Sequence, residues 1–278
     1  MSKILDNIKE IVDKSDAVII GAGSGLSTAS GIDYAGEEFK EKFAPFIKKY
    51  GFTDLYTSSF YEFKTKEEYW AYWAMHINFA NTGREGTKLY KDIYNLVKEK
   101  EYFVITTNVD DQFYKTGFDE NKIFRVQGSY AFLQCLNACH DKLYPSKEIV
   151  DEMIKNIDED LKIPTTLVPK CPVCGGDMEP NLRKDSNFVE DDLWYKQQNA
   201  YDDFLEKNKD KKVILLEFGV GFNTPGIIRF PFEQMTLKKH NFKLIRFNKD
   251  CRCLYNLDND RFIEITEDLN NIFNESRE

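Results

Sequence analysis

Six short apolar runs punctuate the chain, at residues 17–20, 103–106, 123–126, 213–218, 243–247 and 262–265. They are nearly continuous in hydrophobicity rather than alternating. That pattern suits parallel strands buried on both faces, which need crossover connections between them. It predicts an α/β fold built on a doubly wound parallel sheet. Ile4, Ile8, Ile11 and Val12 add an amphipathic helix before the first strand. Two gaps between strands are unusually long. The first, from Tyr34 to Tyr102, carries Tyr69, Trp70, Tyr72, Trp73 and Ile77 at helical spacing, which reads as the core of a helical insert. The second, from Tyr130 to Lys212, holds four clustered cysteines and a polar middle at 147–162. The expected plan is a sheet domain of residues 1–34, 86–129 and 213–278, a helical module at 35–85 and a cysteine-bearing module at 130–212.

With 278 residues, 42% of them hydrophobic, the chain can bury a substantial core. Its 47 acidic against 38 basic residues leave a net charge of -9, which repels phosphate backbones and anionic lipid surfaces. Neither nucleic acid nor a membrane is expected as a partner. No run approaches the roughly 18 apolar residues of a membrane span, and no targeting segment is evident, so the cytoplasm is the expected location.

Six cysteines form three close pairs: Cys135-x3-Cys139, Cys171-Pro-Val-Cys174 and Cys251-Arg-Cys253. Two pairs separated by a long insert can act as two clips that folding brings together into a tetrahedral thiolate site. Cys135, Cys139, Cys171 and Cys174 are therefore expected to hold a structural zinc ion, with buried free thiols as the alternative and disulfides less suited. Gly175 and Gly176 let backbone amides turn toward sulfur, and His140 is a fallback ligand. Cys251 and Cys253 read as core or loop thiols, His76 as a buried, satisfied histidine, and His240, beside Lys238 and Lys239, as solvated. Triad hydrolysis has little support, because no histidine has an acid and a nucleophile beside it.

The first predicted strand ends in Gly21-Ala22-Gly23-Ser24-Gly25-Leu26-Ser27. A glycine turn followed by a helix can bring backbone close to a pyrophosphate and aim the positive helix end at it. A dehydrogenase fingerprint would need glycine at Leu26, and no ribose-binding acid follows a clear second strand, so hydride transfer is disfavoured. The second predicted strand ends in Thr107-Asn108-Val109-Asp110, and the third runs into Val126-Gln127-Gly128-Ser129.

Together these segments resemble the sirtuin family, whose chains follow a glycine loop with T-x-N-x-D and then a catalytic His-Gly. The stretch from Ser27 to Tyr34 is similar to the family's S-x-x-S-G-I-P-D-F-R, with the proline missing and Ala35 in place of arginine. Gly219-Val220-Gly221-Phe222-Asn223 takes the place of the family's G-T-S turn, and Asn248 that of its adenosine-ribose asparagine. The resemblance implies a Rossmann-like sheet, a small domain made of a helical and a zinc insert, NAD as co-substrate, and zinc. It implies an NAD site of Gly21, Ala22, Gly23, Leu26, Ser27, Asp33, Tyr34, Thr107, Asn108, Asp110, Gln127, Gly219, Gly221, Asn223 and Asn248. Within it Asn108 would position ribose or water, and Asp110 would face nicotinamide.

Gln127 stands where the family has its histidine. A carboxamide cannot take a proton near neutral pH, and losing a general base costs about 10²- to 10⁴-fold. Deacylation should therefore be crippled while glycosidic cleavage survives. The residues Phe188-Val189-Glu190 also depart from the F-G-E of the family's acyl-lysine channel. In detail the substitutions resemble the macrodomain-linked (class M) sirtuins. That resemblance implies protein ADP-ribosylation of a lipoyl-carrier protein of the glycine-cleavage H type, reversed by a partner macrodomain. An NAD glycohydrolase, a weak deacylase and a non-catalytic NAD or ADP-ribose sensor are the alternatives.

Overall fold

The computed structural model describes residues 3–274. Six strands form a wholly parallel sheet: β1 (Ala17–Ala22), β2 (Glu101–Thr106), β3 (Ile123–Arg125), and, after three strands elsewhere, β7 (Val213–Phe218), β8 (Phe242–Phe247) and β9 (Phe262–Ile265). They lie in the order β3-β2-β1-β7-β8-β9, at the six apolar runs seen in the sequence. Every residue of β1 and β7 is buried. Side chains alternate across β1. Val18 and Ile20 pack under α1 (Lys3–Asp13), α7 (Lys88–Val97) and α11 (Leu269–Asn274), while Ala17 and Ile19 pack under α9 (Asp192–Asn208) and α10 (Arg229–Lys238). Both faces are covered, as a parallel sheet requires.

The other strands, β4 (Gly128–Cys135), β5 (Tyr144–Pro145) and β6 (Met178–Leu182), form a separate antiparallel sheet in the order β5-β4-β6. Its core is continuous with that of the helical insert: α3 (Glu37–Lys42), α4 (Ala44–Tyr50), α5 (Leu55–Ser58) and α6 (Lys66–Ile77) contribute Phe39, Phe43, Phe46, Leu55 and Trp70, and the thiol insert contributes Leu133, Val150 and Met178. The two inserts therefore make one small domain. Trp70 and Tyr72 are fully buried, so the aromatic stripe is packing rather than a ligand box. Within the polar stretch at 147–162, α8 (Lys147–Lys155) turns Val150 and Met153 into this core. No helix among the described residues is long and apolar enough to cross a membrane.

Candidate functional site

The chain runs outward from β1 through β2 to β3, then returns to place β7 on the other side of β1. Open α/β sheets bind ligands in the crevice at such a reversal, beyond the carboxyl ends of the strands. Here two glycine loops meet. Gly23 donates its N–H to Phe218 O and Gly25 to Gly219 O, both at 3.0 Å. A Cβ on Gly23 would stand 2.8 Å from Gly219 O, and one on Gly25 would stand 2.8 Å from Gly219 Cα. Gly219 itself has φ 60° and lies against Leu26 N. These glycines are required by loop-on-loop contact, a reason the sequence did not reveal. The amides of Gly23 and Gly25 are spent there rather than left for phosphate, and the following helix, α2 (Ser24–Ala29), has only six residues. Gly221 and Asn223, farther along the second loop, are exposed.

β2 ends in a tight polar cluster. Thr107 N–H bonds Ala22 O at 3.0 Å, and the Thr106 hydroxyl accepts the Asn108 N–H at 3.0 Å. Asn108 Nδ2 donates to Gly23 O (3.0 Å) and to Tyr90 Oη (3.2 Å). Its N–H groups are thus spent inward, and Oδ1 remains to accept a hydroxyl proton. Asp110 is buried; its Oδ2 accepts from Ser27 Oγ at 2.5 Å and its Oδ1 from Gln112 N–H at 3.1 Å. Burial pushes its carboxyl up to about 6, against the pull of those two donors. A carboxylate poised there can favour positive charge at neutral pH.

Gln127 lies in the turn after β3, and its neighbours fix it beside this cluster. Val126 N–H bonds Thr106 O (3.1 Å), and Tyr130 N–H bonds Val109 O (3.0 Å). Gly128 has φ 85° and presses on Asn181 O, so no side chain fits there. Among the described residues the Gln127 carboxamide has no hydrogen-bond partner, while its backbone oxygen accepts from Arg183 N–H at 3.1 Å. Asp33 is exposed and caps Ala35 N–H (3.0 Å), whereas Tyr34 is half-buried with its hydroxyl 3.3 Å from Tyr130 Oη.

At the far edge, Asn248 ends β8 and joins two loops: Nδ2 donates to Val220 O (2.8 Å) and Oδ1 accepts from Asp250 N–H (3.1 Å). Beneath it lies a buried ionic cluster. Arg229 donates to Val220 O (2.8 Å), Asp250 O (2.8 Å) and Arg252 O (2.6 Å). Arg246 pairs with Glu217 at 2.7 and 2.9 Å and with Glu233 at 2.8 Å, all three side chains at 0% exposure. Cys251 and Cys253 lie in this loop, apart from the other cysteines; the Cys251 thiol donates to Asn248 O at 3.0 Å.

In the small domain the sulfurs of Cys135, Cys139, Cys171 and Cys174 all lie within 4.8 Å of one another. The Cys135–Cys174 and Cys139–Cys171 distances are 3.7 and 3.6 Å. A tetrahedral zinc ion about 2.3 Å from each sulfur would space them by about 3.8 Å, so the set fits that ion. Gly175 at φ 72° closes the knuckle, and the backbone amides of Cys174 and Val173 hold the Cys171 thiol below its ordinary range. His140 Nε2 stands 3.4 Å from Cys171 Sγ, but four thiols already complete the set.

Several residues of the site escaped the sequence reading. Tyr90 looked like one more apolar position on α7, between Leu89 and Ile93, yet its hydroxyl meets both Asn108 and Ser27. The sequence signal for Asp111 is the tandem acids Asp110-Asp111 just beyond the end of the second strand. The burial of Arg229, Arg246 and Glu217 had no local signal at all.

Residues 23–210 match the model of the Sir2 family. Over 272 residues the chain is 34% identical to a Staphylococcus aureus (strain Mu50) protein named protein ADP-ribosyltransferase, covering 98% of this chain and 86% of that one. It is 32% identical over 247 residues to a Fusarium oxysporum f. sp. cubense protein named probable bifunctional ADP-ribose hydrolase/ADP-ribosyltransferase, covering 86% of this chain and 41% of the fungal one. A solved complex of a mutant Sir2 homologue with ADP-ribose shares the fold, with a TM-score of 0.60 at 15% identity over 99% of this chain and 94% of that one. The glycine crevice, the Asn108–Asp110 strand end and the four-thiol module fit that match, and the chain belongs to the Sir2 family of NAD-dependent enzymes.

Proposed function

We propose that the protein is an ADP-ribosyltransferase, which takes ADP-ribose from NAD, releases nicotinamide and joins the sugar to a protein side chain. Gln127 is the observation that carries this reading. It occupies the turn beside Asn108 and Asp110, and no imidazole replaces it. His76 is fully enclosed, with both nitrogens bonded and its pKa pushed down to about 3 by burial. His140 sits in the thiol module, and His240 precedes β8 at the opposite end of the sheet. Acyl removal by the family's route needs an imidazole at the ribose, and among the described residues none stands there.

Separating nicotinamide from ribose needs positioning and charge stabilisation more than a base. Asp110, ionised above about pH 6, faces the developing positive charge, and Asn108 Oδ1 is free to orient the incoming hydroxyl or water. The four thiols would hold zinc as a structural ion, locking β4 to the knuckle at 171–174. The names of two relatives support the transferase reading. By resemblance to class M sirtuins, the acceptor is a lipoyl-carrier protein of the glycine-cleavage H type, and a macrodomain protein removes the modification. The fungal relative's name, which joins an ADP-ribose hydrolase to a transferase, supports that pairing.

NAD labelled in its adenylate half, incubated with the chain and a lipoylated carrier, should label the carrier, and Asn108→Ala should abolish the label. Label that persists in Asn108→Ala contradicts the site. Nicotinamide released with no label on any carrier makes the chain a glycohydrolase, and tight NAD binding without turnover makes it a sensor.

A further inference from the structure

Tyr34, Tyr130, His76 and Tyr72 form an unbroken chain of hydrogen bonds that runs from the segment after the first glycine loop into the small domain. Tyr34 Oη lies 3.3 Å from Tyr130 Oη, which lies 3.0 Å from His76 Nε2; His76 Nδ1 lies 3.1 Å from Tyr72 Oη. The chain ends on a backbone carbonyl, Leu55 O, 3.1 Å from Tyr72 Oη. The imidazole is walled by rings: it stacks on Trp73 at 5.0 Å and meets Tyr34, Tyr72 and Tyr130 at 5.0–5.6 Å. Among the described residues no charged side chain bonds the imidazole, and burial keeps the ring neutral, with its pKa pushed down to about 3.

A neutral imidazole has one N–H and one acceptor nitrogen, and each phenol has one proton. Leu55 O can only accept, so the Tyr72 proton points to it. The Tyr72 oxygen must then accept from His76 Nδ1–H, which leaves Nε2 bare to accept the Tyr130 proton. Tyr130 in turn can only accept from Tyr34. The opposite polarity would set Tyr72 Oη and Leu55 O 3.1 Å apart with no proton between them, a repulsive contact in a buried site. The backbone at Leu55 thus fixes the direction of every proton out to Tyr34. The relay leads nowhere beyond that carbonyl, so it orients and does not conduct.

We propose that His76 and Tyr130 are positioning residues that keep the Tyr34 proton turned inward, leaving Tyr34 an acceptor-only group that, beside Asp110, selects a neutral carboxamide over a carboxylate on the donor. This rests on the reading of the crevice as an NAD site. A primary amide brings two N–H donors to the two acceptors, whereas a carboxylate meets both with lone pairs. Tyr34 cannot act as a base, because burial and the neighbouring Tyr130 and Asp110 hold its pKa well above the phenol range.

Two measurements test the proposal. Nitrogen-15 histidine spectra, with only three histidines to assign, should show His76 as the Nδ1–H tautomer, and a proton on Nε2 would overturn the assigned direction. Equilibrium binding of NAD, its deamido analogue (carboxylate for carboxamide) and ADP-ribose provides the second test. Tyr34→Phe and Tyr130→Phe should each reduce the preference for NAD over the analogue by about tenfold, the worth of one hydrogen bond. The double variant should lose no more than Tyr34→Phe alone. In Tyr130→Phe, affinity for ADP-ribose, which lacks the base, should stay unchanged. Normal NAD binding with an unchanged preference in Tyr130→Phe overturns this inference alone, while failure of the wild type to bind NAD overturns the reading of the crevice with it.

Discussion

Asp111 holds Arg125 through a nearly buried ion pair, Oδ1 to Nη1 at 3.0 Å. Its second oxygen accepts from Ser129 Oγ at 2.5 Å and from Asn81 Nδ2 at 3.2 Å. Arg125 and Ser129 lie on either side of Gln127, so the residue next to Asp110 grips both ends of the turn that carries the glutamine. Asp111 adopts φ 56°, a conformation that aspartate and asparagine tolerate better than most side chains.

Removing one partner of such a pair leaves the other charge uncompensated. Asp111→Ala should cost about 3–5 kcal/mol of stability, read by chemical denaturation. Asp111→Asn keeps the backbone preference and one acceptor oxygen. It should fold, bind ADP-ribose normally and lose about tenfold in nicotinamide release through a looser Gln127 turn. An unchanged rate in Asp111→Asn would reduce the pair to a purely stabilising role.

Asp110 should cost the fold stability that function requires. Its folded pKa, about 6, stands above the 3.8 of the unfolded chain. Its contribution is therefore fully favourable below pH 3.8 and is lost as pH rises through about 6. Asp110→Asn should raise stability at pH 7.5 by about 2–3 kcal/mol, with the gain vanishing near pH 4, while nicotinamide release falls sharply. Wild-type release should rise with pH across about pH 6. An Asp110→Asn protein less stable than wild type at neutral pH contradicts this electrostatic account.

Zinc should be present at one ion per chain. Structural zinc can contribute about 10–16 kcal/mol of binding free energy to folding. Because the thiol insert shares its core with Trp70, Phe43 and Leu55, a chelator should speed hydrogen exchange in α6 as well as around β4. Loss confined to the knuckle at 171–174 would contradict a common core.

The buried Arg246 should couple the sheet to the loop that follows β8. Arg246→Met strands Glu217 and Glu233, and should cost about 3–5 kcal/mol. Adding Glu217→Met should recover part of that loss, because the pair is then replaced rather than broken. Equal stability of the single and double variants in urea would show that the two side chains are not energetically linked.

The sheet was legible because parallel strands buried on both faces leave unbroken apolar runs, and all six appear in the sheet within two residues of where the sequence placed them. The thiol cluster was legible because its clips are local. What the sequence hid was everything made by long-range contact. Strands β4 and β6 lack an unbroken apolar run, since they bury the polar Ser129, Gln134, Glu179 and Asn181. Tyr90, Asp111 and His76 act through partners up to 63 positions away, and no spacing rule reports that. Conversely, Gly23 and Gly25 read in the sequence as phosphate-loop glycines, and the structure adds a second demand on them, the close approach of Gly219.

We propose that this crevice severs nicotinamide from ribose but lacks the imidazole that would complete acyl removal. The most direct measurement sets wild-type protein, with NAD, against an acetyl-lysine peptide in one reaction and a lipoylated carrier in another, following deacetylation and nicotinamide together. Nicotinamide released only with the carrier, and no detectable deacetylation, is the expected result. Vigorous deacetylation of the peptide by the wild-type chain, with Gln127 in place, would contradict it.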